Sequence, residues 1–320
     1  MKYRIVSLLV SFIILAALIL LSDIGQLVES ILQANLFYIG LAVAMSVVLI
    51  FLRVVRWDLL LRGLNIRVNF GSVFHVFMGG NFISNITPAK SGDPVRSYFL
   101  KKKTKVSFSK NLPSVVVERI FDILTMGIGA VLGVFIIASL ARQIGNILGL
   151  VIGIYVVIIL AVIYFGTNEK RLKKLLDFSY RFLKFIPRFK KMQNKIEYFA
   201  LNFNKSIAKY RKRPYHVFAA FVLSVIVWIV ESLIFYACFL SLGIGVSAVT
   251  IFFIMSISVL VGVLSALPGG LGSFEVVMVL LFTTIYGFPI PTVTASILIA
   301  RFAGFWLNMG VGAVSLGFKI

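Results

Sequence analysis

The sequence predicts an all-α polytopic membrane protein, with about six full transmembrane helices and two re-entrant hairpins that enter from opposite sides. Three observations carry that prediction. Of its 320 residues, 60% are apolar and 13% charged, against about 45–50% and about 25% in an ordinary soluble domain, which excludes a typical soluble enzyme. The 32 Lys and Arg outnumber the 11 Asp and Glu, for a net charge of +21. These basic residues gather in short connectors between apolar runs, the pattern of cytoplasmic loops beside anionic lipid and not of a nucleic-acid surface. Finally, two segments broken by Pro and Gly cannot be read as simple pairs of crossings, since one crossing uses about 20 residues.

Taken in order, Ile5–Leu21 follows Lys2 and Arg4, is too long for a signal-peptide core and has no small-residue cleavage site after it. It is read as a retained span with a cytoplasmic N-terminus. The connector Ser22–Asn35 carries Asp23 and Glu29 but no Lys or Arg and is expected to face outward. Leu36–Leu52 returns to Arg53, Arg56, Arg62 and Arg67, read as a cytoplasmic cluster. Lys101, Lys102, Lys103, Lys105 and Lys110 form a second cluster, and Pro113 is expected in the first turn of a span that reaches Leu140. After Arg142, residues 147–165 form a span in which Gly145, Gly149 and Gly153 repeat every four residues and favour close helix packing. Residues 166–213 hold many Lys and Arg among Leu172, Leu176, Phe182 and Phe185. This reads as a basic amphipathic connector on the anionic cytoplasmic face. Val217–Leu240 then crosses outward, and Thr292–Leu316 returns to a cytoplasmic C-terminus at Lys319.

The first broken segment lies between Arg67 and Lys101, which are separated by only 33 residues. Two crossings would need about 40 residues and a turn, so the chain is expected to enter and leave on one side. Its break, Pro88-Ala89-Lys90-Ser91-Gly92-Asp93-Pro94, follows Asn81, Ser84 and Asn85. The second, about Gly245–Pro291, is long enough for two crossings, but these would place Pro268-Gly269-Gly270-Leu271-Gly272 in the cytoplasm without one Lys or Arg. A hairpin dipping from the outside is expected instead. Pro88 and Gly92 are spaced as Pro268 and Gly272, Arg119 comes 31 residues after Pro88, and Arg301 comes 33 after Pro268. One integral domain, 1–320, is therefore expected to contain inverted pseudo-repeats, 1–146 and 214–320, with a substrate site between the broken helices.

Ionisable side chains at membrane depth are costly and are functional candidates by default. Arg119 and Arg301 each lie about 13–15 Å along a span by residue count. Lys90, Arg96, Arg119 and Arg301 are the candidates for binding a lipid phosphate, and Asp93, Glu118, Asp122, Glu231 and Glu275 for a polar, proton or cation site. Glu118 and Asp122 share a helix face. Asn85, Pro88, Gly92, Pro268, Gly269, Gly270 and Gly272 are expected to form the hairpins. Competing readings stand beside these: Arg119 pairs with Asp122 or Glu275 only to neutralise charge, Lys90 and Arg96 snorkel to the headgroups, and Glu231 joins the network or pairs with an arginine. Cys238 stands alone, and His75 and His216 are far apart, so neither a disulfide nor a metal site is expected. No cofactor is expected, and no GxxxxGK[ST], HExxH or GxSxG motif occurs. ATP-driven pumping and serine catalysis are not indicated, and no catalytic residue is assigned.

The run FISNITPAKSGDPVRSYFL, then VVVERIFDIL, the basic connector, ALPGGLGSFE and ILIARF resembles the transmembrane flippase domain of the lysylphosphatidylglycerol synthase/flippase family in its stand-alone form. The resemblance implies re-entrant helices from both sides and movement of phospholipid or lipid-linked headgroups across the cell membrane. Relatives fused to glycosyltransferases add polyprenyl-linked glycans as possible cargo. The chain ends at Ile320 without a soluble aminoacyl-transferase domain and is expected not to make lysyl-lipid by itself. The expected function is translocation of an anionic phospholipid or lipid-linked intermediate without ATP. The alternatives are a membrane-embedded transferase and a noncatalytic partner of a separate lipid or glycan synthase.

Overall fold

The computed structural model describes residues 2–140 and 205–318, with isolated positions between them. Among these residues there is no strand, and the all-α polytopic architecture holds. The helices are α1 (Lys2–Leu21), α2 (Ile24–Leu32), α3 (Leu36–Gly63), α4 (Phe70–Asn85), α5 (Val95–Thr104) and α6 (Phe108–Leu140), then α7 (Pro214–Ser241), α8 (Ala248–Leu264), α9 (Ser273–Tyr286), α10 (Ile290–Arg301) and α11 (Leu307–Gly317). Among the described residues, four helical segments are long and apolar enough to cross a membrane, one of them the arm Pro268–Tyr286 of the second broken segment, or five if the bent pair α1–α2 counts as one. The expected span 147–165 and most of the connector 166–213 lie outside the described residues.

The antiparallel pair α3 and α7 fixes the two ends of the molecule. At one end the Asn35 N–H donates to Ser241 O at 2.8 Å. At the other, Tyr210 Oη donates to Leu60 O at 2.9 Å, Lys209 Nζ to Leu64 O at 3.3 Å and Arg213 to Arg62 O at 3.1 Å. These basic and phenolic donors gather on the carbonyl end of α3, where cations are favoured, and add to the backbone bonds that Leu60 O and Arg62 O already accept. Apolar packing flanks the pair: Trp57, Leu60, Leu61 and Met78 are buried with α4, and Leu49, Phe239, Met278 and Phe282 with α8 and α9. Large side chains such as Phe37, Phe135, Phe218 and Phe302 stay exposed, as expected where lipid, not water, is the neighbour.

Each broken segment folds as an arm, a short 3₁₀ turn and a returning arm. In the first, α4 starts beside the basic end of α3, turns at Pro88–Lys90 and comes back through α5. Asn111 Nδ2 donates to Ser97 O at 3.2 Å and Trp57 Nε1 to Ser114 Oγ at 3.0 Å, which keeps the start of α6 at that same end. The second runs from α8 through Pro268–Gly270 to α9, and Tyr286 Oη at its finish lies 3.5 Å from Thr250 Oγ1 at its start. Both of these ends are on the Ser241 side. At 16 and 17 residues, α4 and α8 are each about 25 Å long, against about 42 Å for the 28-residue α3. The hairpins therefore enter from opposite ends and their turns meet near the middle.

Several sequence expectations need correction. The connector Ser22–Asn35, read only as an outward-facing link, holds a helix of its own: Asp23 caps α2 by accepting from Gly25 N at 3.1 Å, and α2 turns 86° from α1. Ile24, Val28 and Leu32 line its exposed side while Leu27 is buried, the pattern of a helix lying in the interface. Arg53 and Arg56 are not in a connector, because Leu59, Leu60 and Leu61 continue α3 to Gly63. Pro113 is inside α6, which begins at Phe108. Only the early carbonyl of Ser109 loses its donor there, so the helix tolerates the ring.

The hairpin geometry predicts a labelling pattern. With Cys238→Ala as background, single cysteines at Ser91 and Ser273 should react with a membrane-impermeant thiol reagent from opposite sides, Ser91 from the side of Arg62 and Lys101. Labelling of both from one side in intact cells and inverted vesicles would contradict this arrangement.

Candidate functional site

A buried ionic network fills the space between the two apolar clusters. Arg56 on α3 is 2% exposed. It meets Glu118 Oε1 at 2.5 Å, Asp122 Oδ1 at 2.6 Å and Ser224 Oγ at 3.1 Å. Arg96, on the returning arm of the first hairpin, reaches Glu118 Oε2 at 2.8 Å and lies over the rings of Phe77 and Trp57 at 4.9 and 5.5 Å. Gly80 makes this possible, because a Cβ there would stand 2.0 Å from Arg96 Cγ. Arg119 adds contacts of 3.0 Å to Asp93, 3.1 Å to Asp122 and 3.5 Å to Glu118. Asp93 also accepts from Ser84 Oγ at 2.6 Å, and Asp122 from Trp228 Nε1 at 3.0 Å. Glu118 and Asp122, two carboxylates on one helix face, are thus met by guanidiniums from α3, α5 and α6.

Two further pairs complete the set. Arg53 pairs with Glu231 across α3 and α7. Arg301 pairs with Glu275 on the second hairpin, whose other oxygen accepts from Gly272 N at 2.7 Å. The Arg301 guanidinium also lies 4.1 Å over Phe274 and 5.2 Å over Phe305. A π-helical turn, Phe302–Trp306, follows directly, a distortion often found at functional sites.

Between the hairpin turns is a cavity with about 1050 Å³ of empty space, the part open to its surroundings included. The first hairpin and α6 contribute Asn85, Lys90, Arg119 and Asp122 to its wall, and α3 and α7 contribute Arg53, Trp228 and Glu231. From the other side come Gly269, Gly270, Arg301 and Asn308. Gly269 adopts φ 60°, which L side chains disfavour, and a Cβ on it would lie 2.7 Å from Phe305 and 3.4 Å from Asn85 O. Here the turns touch. Pro88 and Pro268 each open a 3₁₀ turn, and Gly92 N donates to Thr87 Oγ1 at 2.8 Å to close the first.

Arg119 and Arg301, expected to converge from the two parts of the chain, both line this one cavity, and both also have carboxylate partners. Lys90 lines it too, in place of the snorkelling position weighed from the sequence. Arg96 is 1% exposed and does not reach the cavity wall; it holds Glu118, so neither direct phosphate contact nor snorkelling describes its place. Asp93 and Glu275 sit behind the wall, each gripping an arginine that forms it. Sequence reasoning missed Arg53, Arg56, Ser84 and Ser224. The available signal was the spacing of Arg53 and Arg56, one helical turn apart directly after the apolar run Leu36–Leu52 and followed by Leu59, Leu60 and Leu61. Among the described residues, no group of three or more His, Cys, Asp or Glu is placed to hold a metal ion.

Comparison with known proteins agrees with this architecture. The family described as lysylphosphatidylglycerol synthase TM region matches residues 4–312. A UPF0104 membrane protein of Pyrococcus horikoshii is 28% identical over 303 residues, covering 92% of this chain and 90% of its own. Another, from Methanocaldococcus jannaschii, is 27% identical over 318 residues, covering 97% and 93%. The glycosyltransferase AglD of Haloferax volcanii is 26% identical over 309 residues, which cover 84% of this chain and 47% of that protein. With the family match spanning residues 4–312 of the chain, the chain belongs to the lysylphosphatidylglycerol synthase transmembrane-region family and is a multi-pass membrane protein.

Proposed function

We propose that the protein moves an anionic phospholipid, or a lipid-linked headgroup intermediate, across the cell membrane without ATP. The observation that carries this reading is the position of the cavity: it lies where hairpins from opposite ends meet, with residues of both in its wall. Movement of either hairpin against the fixed pair α3–α7 would open the cavity to one side at a time, the logic of alternating access. A headgroup would cross through this polar space while its acyl chains remain in hydrocarbon. In this reading both termini and the basic connector face the cytoplasm, where the connector meets anionic lipid.

The match to AglD favours a lipid-linked glycan as an alternative cargo, and with it a second reading in which the protein is an embedded transferase or a partner of a separate glycan synthase. One reconstitution separates the three. In liposomes containing labelled phosphatidylglycerol, a flippase should speed the exchange of label between leaflets relative to protein-free liposomes, with no response to ATP. A chemically altered lipid would instead identify a transferase, and neither result, repeated with a polyprenyl-phosphate sugar, would leave the partner role.

A further inference from the structure

Among the described residues, the charges around the cavity balance except at one place. Arg53, Arg56, Arg96, Arg119 and Arg301 are met by Asp93, Glu118, Asp122, Glu231 and Glu275. Lys90 is a sixth cation. It lines the cavity from the tip of the first hairpin, and no ion pair or hydrogen bond engages its side chain among the described residues. Its backbone has φ 54°, a conformation that non-glycine residues rarely hold unless the surroundings impose it and that clusters at ligand sites. Asp93 N donates to Lys90 O at 3.0 Å and pins it there.

The opposite wall is of different character. Asn308 donates through Nδ2 to Gly304 O at 2.8 Å. Its Oδ1, and Nη2 of Arg301, are buried without a hydrogen-bond partner. Asn308 and Arg301 both line the cavity, and an acceptor and a donor left without partners among the described residues suit a hydroxyl, which offers both functions, once the side chains turn to meet it. A cationic head would find no unmatched carboxylate and would face Arg301.

We infer that the cavity selects a lipid with a single phosphodiester charge and a neutral polyol head, with Lys90 meeting the phosphate and Asn308 and Arg301 meeting head hydroxyls. This rests on the reading of the cavity as a headgroup site, but its test does not require transport. Binding of short-chain lipids to the purified full chain is measured in detergent by native mass spectrometry. Phosphatidylglycerol should bind about tenfold or more tightly than phosphatidylethanolamine or lysyl-phosphatidylglycerol, the change expected for a charge-assisted hydrogen bond. Lys90→Gln should erase the preference with little loss of thermal stability, since Asp93 and Asp122 act on Lys90 only at longer range and each keeps its arginine partners, and Lys90→Glu should turn it toward lysyl-phosphatidylglycerol. Soluble glycerol phosphate should bind more weakly than the lipid; equal binding would identify a water-soluble ester as the ligand and overturn the lipid assignment. Equal binding of the three lipids, preference for the lysyl form in the parent, or selectivity that survives Lys90→Gln would each overturn the inference. Selective binding with no transport in liposomes would leave it standing and remove the flippase reading alone.

Discussion

Glu118→Gln is expected to cost about 3–5 kcal/mol of stability, the range for removing one partner of a buried ion pair, and to abolish lipid movement. Glu118 is 0% exposed and stands between Arg56 and Arg96, with Arg119 at 3.5 Å. A neutral amide offers one acceptor where two were used, and its NH₂ group would face a guanidinium. Arg96 then loses its ion-pair partner and Arg56 one of its two, and the first hairpin loses its tie through Arg96 to α6. Glu118→Asp keeps the charge on a shorter arm and should lose less. The measurement is thermal unfolding of each purified variant in detergent, followed by lipid exchange in liposomes. Parental melting of Glu118→Gln would show that the network does not hold the hairpin in place. Parental melting together with parental exchange would also remove the network from the transport mechanism.

The hairpins were legible because their evidence is local and arithmetical. Thirty-three residues between Arg67 and Lys101 are too few for two crossings, and Pro268-Gly269-Gly270 carries no basic residue beside it. Both arguments depend only on helix rise, membrane thickness and charge bias. That the turns at Pro88 and Pro268 meet is a tertiary fact, visible once Gly269 is seen against Asn85 and Phe305.

The network was only partly legible, for a reason that the same charge rule supplies. Arg53 and Arg56 followed an apolar run and preceded Arg62 and Arg67, so positive-inside reasoning assigned all four to one connector. Burial of Arg56 is made tolerable by Glu118 and Asp122, which are 62 and 66 residues away in sequence. No periodicity in α3 reports partners supplied by α6. Arg96 posed the converse problem. Beside Asp93 and Lys90 it read as a ligand-binding or interfacial cation, whereas Gly80 opens the space that lets it turn inward over Phe77. Asp122 and Arg119, three residues apart, paired as helix spacing allows.

The second large effect is expected at Arg301 and Glu275, where a double substitution distinguishes charge neutralisation from ligand contact. Arg301→Gln leaves Glu275 buried with only Gly272 N as a donor among the contacts described, and Glu275→Gln leaves Arg301 above Phe274 and Phe305 without its carboxylate. Each single change should cost about 3–5 kcal/mol. Combining them removes both charges, so the double variant should recover much of that loss, which thermal unfolding of the four proteins in a double-mutant cycle measures directly. Transport should separate from stability. Arg301 also lines the cavity and has a buried Nη2 free of hydrogen bonds, so its removal should slow lipid exchange about tenfold to a hundredfold, the effect of one lost charge-assisted bond, even where folding is restored. Arg301→Lys keeps the charge but not the planar fork and should fall between parent and Arg301→Gln. If the arginine served only to neutralise Glu275, the double variant would regain parental exchange along with parental stability, and the role of Arg301 in meeting the headgroup would be withdrawn.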